Sequence, residues 1–143
     1  MSKTILYRLF GVGRIPEPFL FQLKSEGIIL SDEGVKGSVT YRDFHSPGRS
    51  SALRKQWYAA AIALTKVRLL ALWYNNPTIN VPLTDKRLGA MRYSLEDNGA
   101  VLCIAFDPSL FHDDWSGTIE YRFRTPEAPH FLELLQSHIS HAA

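Results

Sequence analysis

The densest group of side chains able to do acid–base or ligand chemistry in this chain is His112-Asp113-Asp114. An imidazole beside two carboxylates can hold a divalent cation or pass a proton. Three consecutive loop residues rarely converge on one ion, and no second histidine stands at a ligand spacing from them, so a solvated acidic loop is the simpler expectation. His138 and His141 stand three apart near the C-terminus, where imidazoles meet the last carbonyls of a helix without any metal. Gly11-Val12-Gly13-Arg14 lacks the third glycine and the lysine–hydroxyl pair of a phosphate-cradling loop. Serines and histidines occur with no motif joining them, which leaves nucleophilic catalysis supported by composition alone. These residues predict a protein that is not an enzyme, with no metal and no cofactor.

The single cysteine, Cys103, excludes an intramolecular disulfide and a multi-cysteine cluster. Its apolar surroundings, Ala100 to Phe106, predict a buried and inert thiol, as suits a reducing, cytoplasmic setting. No secretory peptide is apparent at Met1-Ser2-Lys3-Thr4. The longest apolar stretch, Trp57 to Tyr74, is broken by Lys66 and Arg68, which argues against a membrane span.

Net charge is only +2 over 143 residues, but its distribution is uneven. Lys36, Arg42, Arg49, Arg54, Lys55, Lys66 and Arg68 face one acidic residue, Asp43, between positions 36 and 68, whereas Asp107 to Glu120 holds four acidic residues and no lysine or arginine. Such a dipole orients a protein on an anionic surface, and ordinary solvated loops and strand faces give the same pattern. Tyr41-Arg42-Asp43-Phe44 and Tyr121-Arg122-Phe123-Arg124 interleave aromatic and basic residues as base-stacking strands do. Strand alternation, with aromatics inside and arginines in water, explains them equally, and no nucleic-acid partner is expected.

The elements that must position these groups are mostly strands. Phe19 to Ser25 suits a short helix, with Phe19, Leu20 and Leu23 on one side and Gly27 as its stop, inside an N-terminal extension over residues 1–26. Ile5 to Phe10 reads as a strand or a helical turn. Gly27 to Leu30 opens a strand, Asp32-Glu33-Gly34 a turn, and Val35 to Phe44 a second strand. His45 to Ser51 reads as an exposed loop. Ala52 to Trp73 is ambiguous: propensity favours a helix over Ala52–Ala63, while the break at Thr65-Lys66-Val67-Arg68 favours strands at Tyr58–Leu64 and Val67–Tyr74. An Asn75-Asn76-Pro77 turn leads to alternating Ile79, Val81 and Leu83. Met91, Tyr93 and Leu95 alternate before Asp97-Asn98-Gly99, a tight hairpin signal, and Ala100 to Phe106 reads as a strand buried on both faces. Ile119, Tyr121 and Phe123 alternate with Glu120, Arg122 and Arg124. Thr125-Pro126-Glu127 then starts a helix whose apolar stripe is Ala128, Phe131, Leu132, Leu135 and Ile139.

Ala63-Leu64-Thr65-Lys66-Val67-Arg68-Leu69, with its spacing to Val81-Pro82-Leu83 and Leu88, resembles the leucine–threonine–x–x–arginine–leucine pattern of GRAM and related bacterial domains of the pleckstrin-homology-like superfold. The last strand feeding Thr125–Ile139 is similar to their closing strand and helix. The resemblance covers roughly Gly27 to Ser140, and residues 27–143 are taken as the domain. It implies a mainly β fold: a strongly bent, seven-stranded antiparallel β-barrel capped by a C-terminal amphipathic helix. Such domains bind phosphoinositides, other lipids, peptides or proteins, so the fold does not fix the function.

The leading expectation is a non-catalytic binding module acting through a protein partner or as a homo-oligomer. The alternative is a cytoplasmic protein peripheral to the inner face of a membrane, touching anionic lipid through Arg49, Arg54 and Lys55 with Lys66 and Arg68 in support. In the resemblance, basic residues gather on the loop joining the first two strands. Ser31–Lys36 as that loop, carrying Asp32 and Glu33, opposes lipid binding; His45–Gln56 favours it. An uncharacterised enzyme is the third reading.

Overall fold

The computed structural model describes residues 15–74 and 76–142; the Ile5–Phe10 and Gly11–Arg14 segments lie outside the described residues. The elements run α1 (Glu17–Glu26), β1 (Ile28–Ser46), β2 (Arg49–Thr65), β3 (Arg68–Trp73), β4 (Asn76–Pro82), α2 (Arg87–Ala90), β5 (Arg92–Glu96), β6 (Val101–Phe106), β7 (Ser116–Arg124) and α3 (Ala128–Ala142). The strands form one antiparallel sheet in the order β4-β3-β2-β1-β7-β6-β5. Its ladder is open, with β4 and β5 as edges. The mainly β class and the closing helix hold; closure into a barrel is not part of the pairing.

Two expected boundaries change. Asp32-Glu33-Gly34 is no turn: β1 runs through it, and the register slips between Glu33 and Val35 where Gly34 takes φ 67°. A glycine at positive φ lets a strand bulge without ending. The predicted His45–Ser51 loop shrinks to Pro47-Gly48, because Ser46 already pairs with Arg49. This turn joins the first two strands, which places the junction within the more basic of the two candidate segments.

The Ala52–Ala63 ambiguity resolves as strand. From Tyr58 to Thr65 β2 is buried on both faces, so its sequence shows no alternation. One face packs Tyr58, Ala60, Ile62 and Leu64 into the main core with Val39, Phe123, Phe131 and Leu135. The other presents Ala61 and Ala63, which with Leu70 and Leu72 receive Leu23 of α1 and Ile15. Small residues on that face let a helix approach the sheet, and the same alanines raise apparent helix propensity. Phe123, Phe131 and Leu135 are fully buried; each such side chain contributes about 1.5–3 kcal/mol by leaving water.

Turns follow local chemistry. Thr65 Oγ1 accepts the N–H groups of Val67 and Arg68, both at 3.0 Å, and so reverses the chain between β2 and β3. Trp73 pairs with Asn76, so the next reversal comes one residue before the predicted Asn75-Asn76-Pro77. The β5–β6 hairpin is present, but Glu96 pairs with Val101 and the loop is longer than a two-residue turn. Asp97 and Asn98 adopt φ 51° and 56°, and Arg124 holds Asp97 at 2.6 Å.

Candidate binding surface on the first hairpin

β2 continues well past its pairing with β3, whereas β1 stays paired with β7 as far as His45. β3 pairs β2 only between Ala60 and Leu64, and the Tyr74 N–H reaches the Ala59 carbonyl at 3.0 Å. From Arg49 to Tyr58, β2 therefore pairs with β1 alone among the described residues. The predicted contacts Arg49, Arg54 and Lys55 all lie on this half of β2.

Strand alternation separates them. Arg54 stands opposite Tyr41, on the face that leads into the core, while Lys55 stands opposite Thr40 on the other face beside Trp57. Arg49 and Arg54 share a cleft of about 630 Å³ with Tyr41, Phe44, Pro47 and Trp115. Its aromatic wall is continuous: Phe44 meets Tyr41 and Trp115 edge-on at 5.0 and 5.4 Å. Neither arginine has an ion pair among the described residues. Burial raises the Tyr41 hydroxyl pKa, against the opposing pull of Arg54 and Arg49. At working pH the cleft thus offers two guanidinium groups beside a neutral phenol.

Lys66 and Arg68 sit at the far end of β2 and do not join this cluster. Arg68 is clamped to Glu26 of α1 through Nε at 2.9 and 3.0 Å and Nη2 at 2.8 Å, with Nη1 donating to Asn80 at 3.0 Å. Its charge is spent on holding α1 against the β2–β3 turn. The Lys66 stem runs over Gly27. Nothing local in the sequence reveals that engagement, because Glu26 lies 42 residues from Arg68.

No family model and no curated protein matches this chain. The site therefore rests on its own geometry.

The His112-Asp113-Asp114 cluster has a packing role: the His112 ring stacks on Trp115 with centroids 3.8 Å apart, while both aspartates are exposed. Among the described residues no three His, Cys, Asp or Glu side chains gather as a metal site would require. Nor is any described helix long and apolar enough to cross a membrane. Sequence reasoning missed Lys36, Ser38 and Trp57, which line a second cavity on the Lys55 face. Their period-two spacing along β1 and β2 was the available signal.

Proposed function

We propose that this chain is a non-catalytic binding module of pleckstrin-homology-like form, its sheet bent into a barrel under α3, that acts through protein contacts along β2. The observation carrying this reading is the strand edge from Arg49 to Tyr58, which lacks a neighbour among the described residues. An edge of this kind accepts an added strand by main-chain hydrogen bonds. Leu53 and Trp57, 65% and 58% exposed, offer apolar contacts at alternate positions. Arg49, Arg54 and Lys55 set the partner's chemistry: an extended acidic segment is attracted. A second copy paired edge to edge would bring like charges together.

The test is a titration of a labelled peptide alternating glutamate and valine, with a lysine–valine peptide as comparison. The acidic peptide binds, more weakly as salt rises, and an Arg54→Glu/Lys55→Glu variant loses at least tenfold in affinity. Equal binding of both peptides would sink the reading. A concentration-dependent dimer strengthened by the charge reversals would replace it with self-association.

A second reading is favoured by Arg49 and Arg54 in their cleft, which have no ion pair among the described residues. The protein then lies at the cytoplasmic face of an anionic membrane, each basic residue near the surface contributing on the order of 1 kcal/mol. Sedimentation with anionic and neutral vesicles across a salt series distinguishes it. Binding should be anionic-only, salt-sensitive and lost in Arg49→Ala/Arg54→Ala; persistence in high salt opposes it.

A further inference from the structure

The opposite face of the hairpin holds a cavity of about 270 Å³ bounded by Lys36 and Ser38 of β1, Lys55 and Trp57 of β2, and the β5–β6 turn. Ser38 is only 1% exposed, and its Oγ has no hydrogen-bond partner among the described residues. Buried hydroxyls without partners are few in folded proteins, because the lost hydration is not replaced. Here the orphan lies on the boundary of a cavity.

The charges around it are unbalanced. The Lys36 and Lys55 ammonium groups lie 4.9 and 4.4 Å from the centre of the Trp57 ring. Neither has an ion pair among the described residues. The acids on the cavity's other side are already paired with Arg122 and Arg124, which line the same cavity. Glu96 accepts Arg122 Nε and Nη2 at 2.7 and 3.1 Å, and Asp97 accepts Arg124 at 2.6 Å. Two positive charges and one hydroxyl donor thus remain without a counterpart among the described residues.

We propose that this cavity is a site for a phosphomonoester, whose oxygens take the Ser38 hydroxyl and the Lys36 and Lys55 ammonium groups. A dianion matches two cations. Its three terminal oxygens also accept from donors arriving in different directions, which the planar pair of a carboxylate does less well. The organic part of the ligand lies against Trp57. Ser38 is closed to bulk water, but Lys36, Lys55 and Trp57 are exposed, so entry requires rotamer changes rather than movement of the sheet. The site shares Lys55 and Trp57 with the β2 edge, but Lys36 and Ser38 of β1 belong to it alone, so the Ser38→Ala variant tests it apart from strand addition.

The experiment titrates glycerol phosphate into the full chain by calorimetry and, in parallel, sediments the chain with phosphatidic acid or phosphatidylcholine vesicles. Variants are Lys36→Ala/Lys55→Ala and Ser38→Ala, with thermal melts to establish that each folds. Saturable glycerol phosphate binding that falls at least tenfold in the double variant and severalfold in Ser38→Ala supports a free phosphomonoester. Binding only to phosphatidic acid vesicles, lost in the same variants, supports a lipid-borne one. Absence of both, or binding that persists in Lys36→Ala/Lys55→Ala, overturns the site.

Discussion

Thr125 and Asp32 are separated by 93 positions, and the Thr125 hydroxyl donates to Asp32 Oδ2 at 2.6 Å. Thr125 Oγ1 also accepts the Glu127 N–H at 3.1 Å, so one buried side chain both caps the approach to α3 and ties it to β1 near the Gly34 bulge. Thr125→Val keeps the shape and removes both bonds. It should cost about 1–3 kcal/mol in urea denaturation, while Thr125→Ser retains most of the stability.

The Glu26–Arg68 clamp makes part of the stability depend on pH. Hydrogen bonding from Arg68 holds the Glu26 carboxyl below its ordinary pKa, outweighing the upward push of burial. Folded protein therefore releases that proton at lower pH than unfolded chain does. The stabilisation is complete above the unfolded carboxyl value and drains away as acid carries the pH down through the folded one. Denaturation series between neutral and acid pH should show a shallower acid loss in Glu26→Gln, with a lower neutral starting point by roughly 1–3 kcal/mol. An identical slope in both proteins would remove this pair from the acid response.

Gly117 is the second residue of β7, beside the stretch where β1 is irregular. Asp43 there has φ 47°, and the β1–β7 register shifts between Arg42 and His45. Gly117 itself has φ 105°, and a Cβ would stand 2.5 Å from the Asp43 carbonyl oxygen. Backbone is on both sides of that contact, so no rotamer change relieves it. Gly117→Ala should lower stability by about 1–3 kcal/mol and reshape the cleft that Phe44 and Trp115 line. A thermal melt matching the unsubstituted chain would show that this junction yields easily.

Local chemistry made some of this fold legible. Thr65 as a turn-forming hydroxyl, Gly27 after α1, and the alternation of Ile119, Tyr121 and Phe123 depend on neighbours within a few positions. Illegible features depended on distant partners. β2 lost its alternation because α1 covers the Ala61–Ala63 face. Arg68 looked as available as Arg54 until Glu26 came beside it. The basic run was visible, but its division between two faces required a fixed strand register: Arg54 belongs with Tyr41, and Lys55 with Trp57. Period-two spacing put Ser38 on the Lys36 face, but its hydroxyl's lack of a partner among the described residues could not be read there, being a property of its surroundings.

The lone thiol has one more consequence. Cys103 lies opposite Ser94, is 5% exposed, and burial raises its pKa. β5 is a five-residue edge strand, the kind of element that frays before a domain unfolds. An alkylating reagent can react only while that strand is peeled back. The chain therefore carries its own stopwatch: the labelling half-life of Cys103, without any engineered probe, times the breathing of one edge of the sheet.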